Sequence, residues 1–242
     1  SLLFFGIPGL LIFLGVYWLV PFLVNQGIPL ISAYFLVIWG PIIVLFIIIL
    51  RRWLHSSKAG KKKTFKEYFN LRTLRGKAWL WVIAGLLAAQ VLEVLLSPSS
   101  KILARLLLFN PPEVLPEIFS PFFDPSAGLT RFMGVPVKGN WWLILFWCLW
   151  LIVNIGGEEL LWRGYALPRQ KKVFGKWAWL VNGLMWNLFI HFFMRWTFIA
   201  LLPTTLIVPY LCQKLDSTWP GIIIHGTGNL LVFIILVPAV IS

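Results

Sequence analysis

Acidic side chains are scarce in this chain. Asp and Glu number 8 against 21 Lys and Arg, and all charged residues together make up 12% of its 242 residues. A soluble domain carries about a quarter charged residues, so an ordinary water-facing surface is excluded. Cysteine is almost missing. Cys148 and Cys212 are lone residues in apolar segments, which excludes a disulfide framework and a cysteine-rich zinc site. The HExxH pattern of zinc proteases is absent, as are internal repeats, low-complexity tracts and domain linkers. The chain begins at Ser1 with an apolar run and no basic stretch before it, so no cleavable signal peptide is visible. What is abundant is hydrocarbon: 60% of the residues are hydrophobic and the mean hydropathy is +0.86. Several apolar runs reach about 20 residues, enough to cross roughly 30 Å of lipid. The expected fold is an all-α polytopic transmembrane helix bundle. A net charge of +13 can mark a nucleic-acid binder. Here, however, Lys and Arg gather between the apolar runs, the positive-inside pattern, so anionic lipid headgroups are the expected partner and nucleic acid is not.

About seven spanning helices are expected in one integral membrane domain over 1–242, with the amino terminus inside. They cover about 2–24, 28–50 with a kink at Gly40-Pro41, 78–96, 141–163, 177–198, 200–212 and 219–241. Residues 51–77 carry ten Lys or Arg against one acid, Glu67, and form a basic cytoplasmic loop. Phe65, Tyr68, Phe69 and Leu71 alternate with charge there and read as an amphipathic interfacial segment. Residues 97–140, rich in proline, form an extracytoplasmic loop with a short interfacial helix or lid. Leu167-Pro168 is expected to end the fourth helix, and Pro203 and Pro209 to break the sixth. In the third helix, Glu93 either reaches the opposite interface or joins a buried polar network with Gln90, three residues earlier.

The chemistry is expected in residues 141–242. Glu158 and Glu159 end a long apolar run, and a carboxylate near hydrocarbon costs at least a few kcal/mol unless it serves a purpose. Successive helical residues point about 100° apart. Arg163, four residues on, shares a face with Glu159. Glu159 and Arg163 therefore pair, and Glu158 is aimed elsewhere. Of three histidines, His55 lies in the basic loop, while His191 and His225 fall in apolar segments. His225 and Asn229 share a helix face. Glu158, His191, His225 and Asn229 can converge, and such a set suits hydrolysis. One route uses a metal such as Zn2+ on Glu158, His191 and His225, which would lower the pKa of a bound water. The other uses the carboxylate itself as base, with N–H groups on the oxyanion.

These motifs, Glu158-Glu159-x-x-x-Arg163, a following segment with His191, and His225-x-x-x-Asn229, resemble the type II CAAX prenyl endopeptidases of the CPBP (Abi) family of intramembrane proteases. The flanks, GEELLWRGY and Trp219-Pro220-Gly221, are similar too. The resemblance implies a membrane-embedded metalloprotease or glutamate-type endopeptidase. It implies Glu158 as water activator, His191 and His225 on a metal or the oxyanion, Asn229 completing that group, and Glu159 and Arg163 as supports. Substrates would be peptides or the tails of prenylated proteins, and a bacterial inner membrane is expected before the endoplasmic reticulum. One departure stands out. The family places an aromatic residue four before the histidine, whereas Asn187 is four before His191 and Trp186 five before. Either a one-residue bulge lies between them or the aromatic role has moved.

Two other classes compete. A non-catalytic scaffold or bacteriocin-immunity protein would keep its function in Glu158→Gln and His225→Ala variants. A proton-coupled transporter would use Glu158 and Glu93 as carriers, but no inverted repeat or matched pair of broken helices is visible.

Overall fold

The computed structural model describes residues 1–58 and 63–241. Lys61 and Lys62 of the basic loop lie outside the described residues. The chain is an all-α bundle. The one pair of strands among the described residues is a two-residue ladder, Arg131–Phe132 against Val135–Pro136. Five helical runs are long and apolar enough to cross a membrane: Leu2–Asn25, Leu30–His55, Ala78–Leu103, Trp142–Leu188 and Trp219–Ile241. Within and between them we number α1 (Leu2–Asn25), α2 (Leu30–Lys58), α3 (Ala78–Leu96), α4 (Trp142–Leu151), α5 (Leu167–Phe174), α6 (Ala178–Leu188), α7 (Leu202–Lys214), α8 (Trp219–Leu230) and α9 (Val232–Ile241).

Five runs, where about seven crossings were expected, reflect two features. The run Trp142–Leu188 holds 47 residues, more than twice the length one crossing needs. It doubles back at Gly175, whose φ of 54° a side chain would strain. On the return, Asn182 Nδ2 donates to Trp162 O at 3.0 Å and to Gln170 Oε1 at 2.7 Å. α7, at 13 residues, is shorter than a full crossing. It packs on α6 and α3, where Gly183 lies so near Thr205 O that a Cβ would collide with it.

The prolines act differently from expectation. Pro168 does not end a helix. It sits in the first turn of α5, where a missing N–H leaves no bond unmade, directly after a widened π segment, Leu160–Ala166. Pro203 takes the same position in α7, and Pro209 is carried inside that helix without breaking it.

At the basic end, the loop is fastened to the α7–α8 turn. Thr218 Oγ1 donates to Phe69 O at 2.7 Å, Thr218 N–H to Asn70 O at 2.9 Å, and Ser217 Oγ to Arg72 O at 2.6 Å. Phe69 is fully buried against Phe65 and Phe46, so this part of the expected interfacial segment is docked on the bundle. A capping box starts its single helical turn. Thr64 N–H and hydroxyl both reach Glu67 and hold its carboxyl below the usual range. At the other end, the proline-rich loop is held by Tyr17 OH on Asn110 O (2.9 Å), Tyr34 OH on Val114 O (2.8 Å) and the Arg195 guanidinium on Leu108 O.

Candidate active site

Glu158 and Glu159 lie between two π segments, Ile152–Gly157 and Leu160–Ala166. Such widened turns re-aim side chains and are frequent at functional sites. Both carboxylates are buried, and they diverge. Glu159 Oε1 lies 3.3 Å from Arg163 Nη1 and 3.0 Å from His225 Nδ1. The expected pairing of Glu159 with Arg163 is present, and His225 joins it. The guanidinium makes no well-aligned hydrogen bond, so its tie to Glu159 is an ion pair. It lies instead over the Trp186 ring, 3.6 Å from the centroid, in a cation–π contact. Trp186 Nε1 in turn donates to Glu158 Oε2 at 2.5 Å. One contact chain therefore runs Glu159, Arg163, Trp186, Glu158.

α8 approaches Glu159 through Gly221, where an added Cβ would overlap the carboxylate. Gly221→Ala is expected to push α8 and His225 away from Glu159. Activity should fall at least tenfold, with a lower melting temperature in detergent. Unchanged activity and melting would show that the helices are not so closely set.

The histidines come from unlike elements. His225 is in α8, as expected. His191 is not in an α-helix. α6 ends at Leu188, and the chain tightens into a 3₁₀ segment, Ile190–Thr197, that is non-helical at Met194. This break reconciles the five-residue spacing. Trp186 meets both rings edge-on, at centroid distances of 4.9 Å to His191 and 5.0 Å to His225. Asn229 Nδ2 donates to His225 O at 3.0 Å, and its Oδ1 accepts from Asn154 Nδ2 at 3.2 Å, which ties α8 to the π segment before Glu158.

Glu158, His191, His225 and Asn229 all line one cavity of about 460 Å³, within the usual size for a small-ligand site. Glu159 and Arg163 do not line it and stand behind it. Its apolar wall includes Ile38, Trp39, Phe119, Trp147 and Trp150. Glu93 does not extend to the far interface. It lines this cavity and accepts from Thr204 Oγ1 at 2.7 Å. Trp186, the aromatic residue five before His191, is the one whose place the spacing left open, whereas Asn154 and Thr204 carried no signal in the sequence. His55 stays outside, exposed, with Nδ1 on Arg51 O.

A metal on Glu158, His191 and His225 finds no ready cage. Among the described residues, no group of three or more His, Cys, Asp and Glu side chains is gathered to hold an ion. Nδ1 of His225 faces Glu159 and Oε2 of Glu158 takes the Trp186 N–H, which leaves Nε2 and Oε1 as the free atoms of the two side chains.

Comparison with family models matches residues 140–231 to a family described as type II CAAX prenyl endopeptidase Rce1-like. No curated protein and no solved structure matches the chain. The matched segment runs from the start of α4 to the end of α8, and it includes every residue of the Glu, His and Asn constellation. With five helical runs among the described residues long and apolar enough to cross a membrane, the chain is an integral membrane protein, and residues 140–231 are similar to that family.

Proposed function

Taking residues 140–231 as a domain of that family, we propose that the protein is an intramembrane endopeptidase in which Glu158 activates water. The observation that carries this is the Glu158 carboxylate, held by an indole N–H at a cavity whose polar lining includes His191, His225 and Asn229. With Oε2 fixed by Trp186, Oε1 is left to accept a proton from water as it attacks a peptide carbonyl carbon. The new C–O bond turns the carbonyl oxygen into an oxyanion. His225 suits its stabilisation. Glu159 accepts from Nδ1, which orients the ring toward that charge, and Nε2 donates to it when it carries a proton. His191 supplies a second N–H, and Asn229 keeps one amide proton beyond the one given to His225 O. The protonated Glu158 then passes its proton to the leaving amine as the C–N bond breaks. Asn154, Arg163 and Glu159 hold these groups without touching substrate.

The substrate class proposed is a peptide or prenylated protein tail, whose isoprenoid would lie along the wall of Trp39, Trp147 and Trp150. The membrane proposed is a bacterial inner membrane. The test is cleavage of a peptide panel, with and without a prenyl group, by protein in lipid nanodiscs. Metal analysis of the same preparation tells an ion-assisted route from a glutamate-only one. No cleavage of any peptide, by protein that is folded and monodisperse, would sink the reading. Trp186→Phe adds a sharper measurement. It keeps an aromatic ring near Arg163 and removes the N–H to Glu158 together with part of the indole. Turnover is expected to fall about 10- to 100-fold, since a hydrogen bond to a charged group contributes about 1.5–3 kcal/mol. Unchanged turnover would show that this contact does not set the base.

A further inference from the structure

We propose that Glu93 is a specificity-determining residue, selecting peptides that place a Lys or Arg side chain beside it. The choice of a peptide as ligand rests on the endopeptidase reading, whereas the preference for a cation rests on the cavity. Glu93 comes from α3, outside the matched residues 140–231 and outside the constellation that performs the hydrolysis. Its carboxylate lines the same cavity as Glu158. One oxygen, Oε2, accepts from Thr204 Oγ1. The other makes no hydrogen bond, and among the described residues Glu93 has no ion pair.

The charge balance of the cavity gives the ligand's sign. Its lining contains two carboxylates, Glu93 and Glu158, and no Lys or Arg. The one buried guanidinium near it, Arg163, is spent on Glu159 and Trp186. A carboxylate in a low-dielectric pocket interacts with a cation far more strongly than in water and repels an anion equally. An ammonium or guanidinium entering here meets acceptors that lack donors. A free carboxyl terminus placed near Glu93 would meet like charge and find no cation to pair with. The geometry therefore favours an internal segment with a basic residue, positioned on the Glu93 side of the bond presented to Glu158.

The experiment uses the whole protein in nanodiscs and one fluorescent apolar peptide in three forms, carrying Lys, acetyl-lysine or Glu at a scanned position. Binding is measured on the Glu158→Gln variant, so that no peptide is consumed, and cleavage on the unmodified chain. At one or more positions the Lys form is expected to bind at least tenfold more tightly than the acetyl-lysine form, and the Glu form more weakly still. Glu93→Gln, added to that background, should collapse the Lys preference to within about twofold, and Glu93→Asp should keep it. Equal binding of the Lys and acetyl-lysine forms at every position would overturn the assignment, whether or not Glu93→Gln can be purified. So would a Lys preference that survives Glu93→Gln. Cleavage is a separate reading. Lys-selective binding without any cleavage would sink the endopeptidase and leave the cation site standing. Cleavage blind to charge, with binding blind as well, would do the reverse.

Discussion

Glu158→Gln is expected to lower peptide cleavage by about 10²–10⁴-fold, the usual contribution of a positioned general base. The amide is close to isosteric, and its oxygen can still accept the Trp186 N–H that Glu158 Oε2 takes at 2.5 Å. Fold, expression and thermal melting should therefore be unchanged. The loss should appear in kcat with little change in KM, because the amide cannot take a proton from water while the cavity keeps its shape. A Glu158→Gln protein that cleaves at the normal rate would remove the base from the mechanism. The scaffold or immunity reading would then lead.

Arg163→Met should have the largest effect on stability. Arg163 is 1% exposed and faces Glu159, which is 0% exposed. Removing the guanidinium leaves a buried carboxylate with only His225 beside it, at 3.0 Å. Breaking one side of a buried ion pair costs about 3–5 kcal/mol. For a chain of this size, that corresponds to a melting point lower by roughly 6–20 °C. The double variant Arg163→Met, Glu159→Gln should regain much of this stability, because no charge is then left unpaired. It should not regain activity, since His225 has lost the carboxylate on Nδ1 and Trp186 the cation over its ring. Melting of Arg163→Met at the temperature of the unmodified protein would show that Glu159 is neutral or hydrated, and that the pair does not hold the helix.

Periodicity and charge were legible where one element decides them alone. Apolar run length set the helices, and the basic residues of 51–77 and 169–176 marked one end of the bundle. Four-residue spacing paired Glu159 with Arg163 and put His225 and Asn229 on one face. The ordered motifs gave a family resemblance that the match over residues 140–231 bears out. Proline was read too simply, because its cost depends on whether its N–H would have had a partner. At Pro168 and Pro203 it would not.

What one sequence determines by itself is the local: which segments prefer lipid, where charge may stop, which side chains share a helix face. Tertiary structure alone decided the rest. It brought α3 beside α7, so that Glu93 faces the cavity. It folded α6 back along the segment before it, so that Trp186 reaches Glu158 across 28 residues of chain. It ended α6 at Leu188, so that His191 turns toward the same indole. Each of these depends on the distance between elements remote in sequence. Those distances follow from packing volume and from glycines such as Gly221 and Gly183 that let backbones approach, and no spacing along a single helix encodes them.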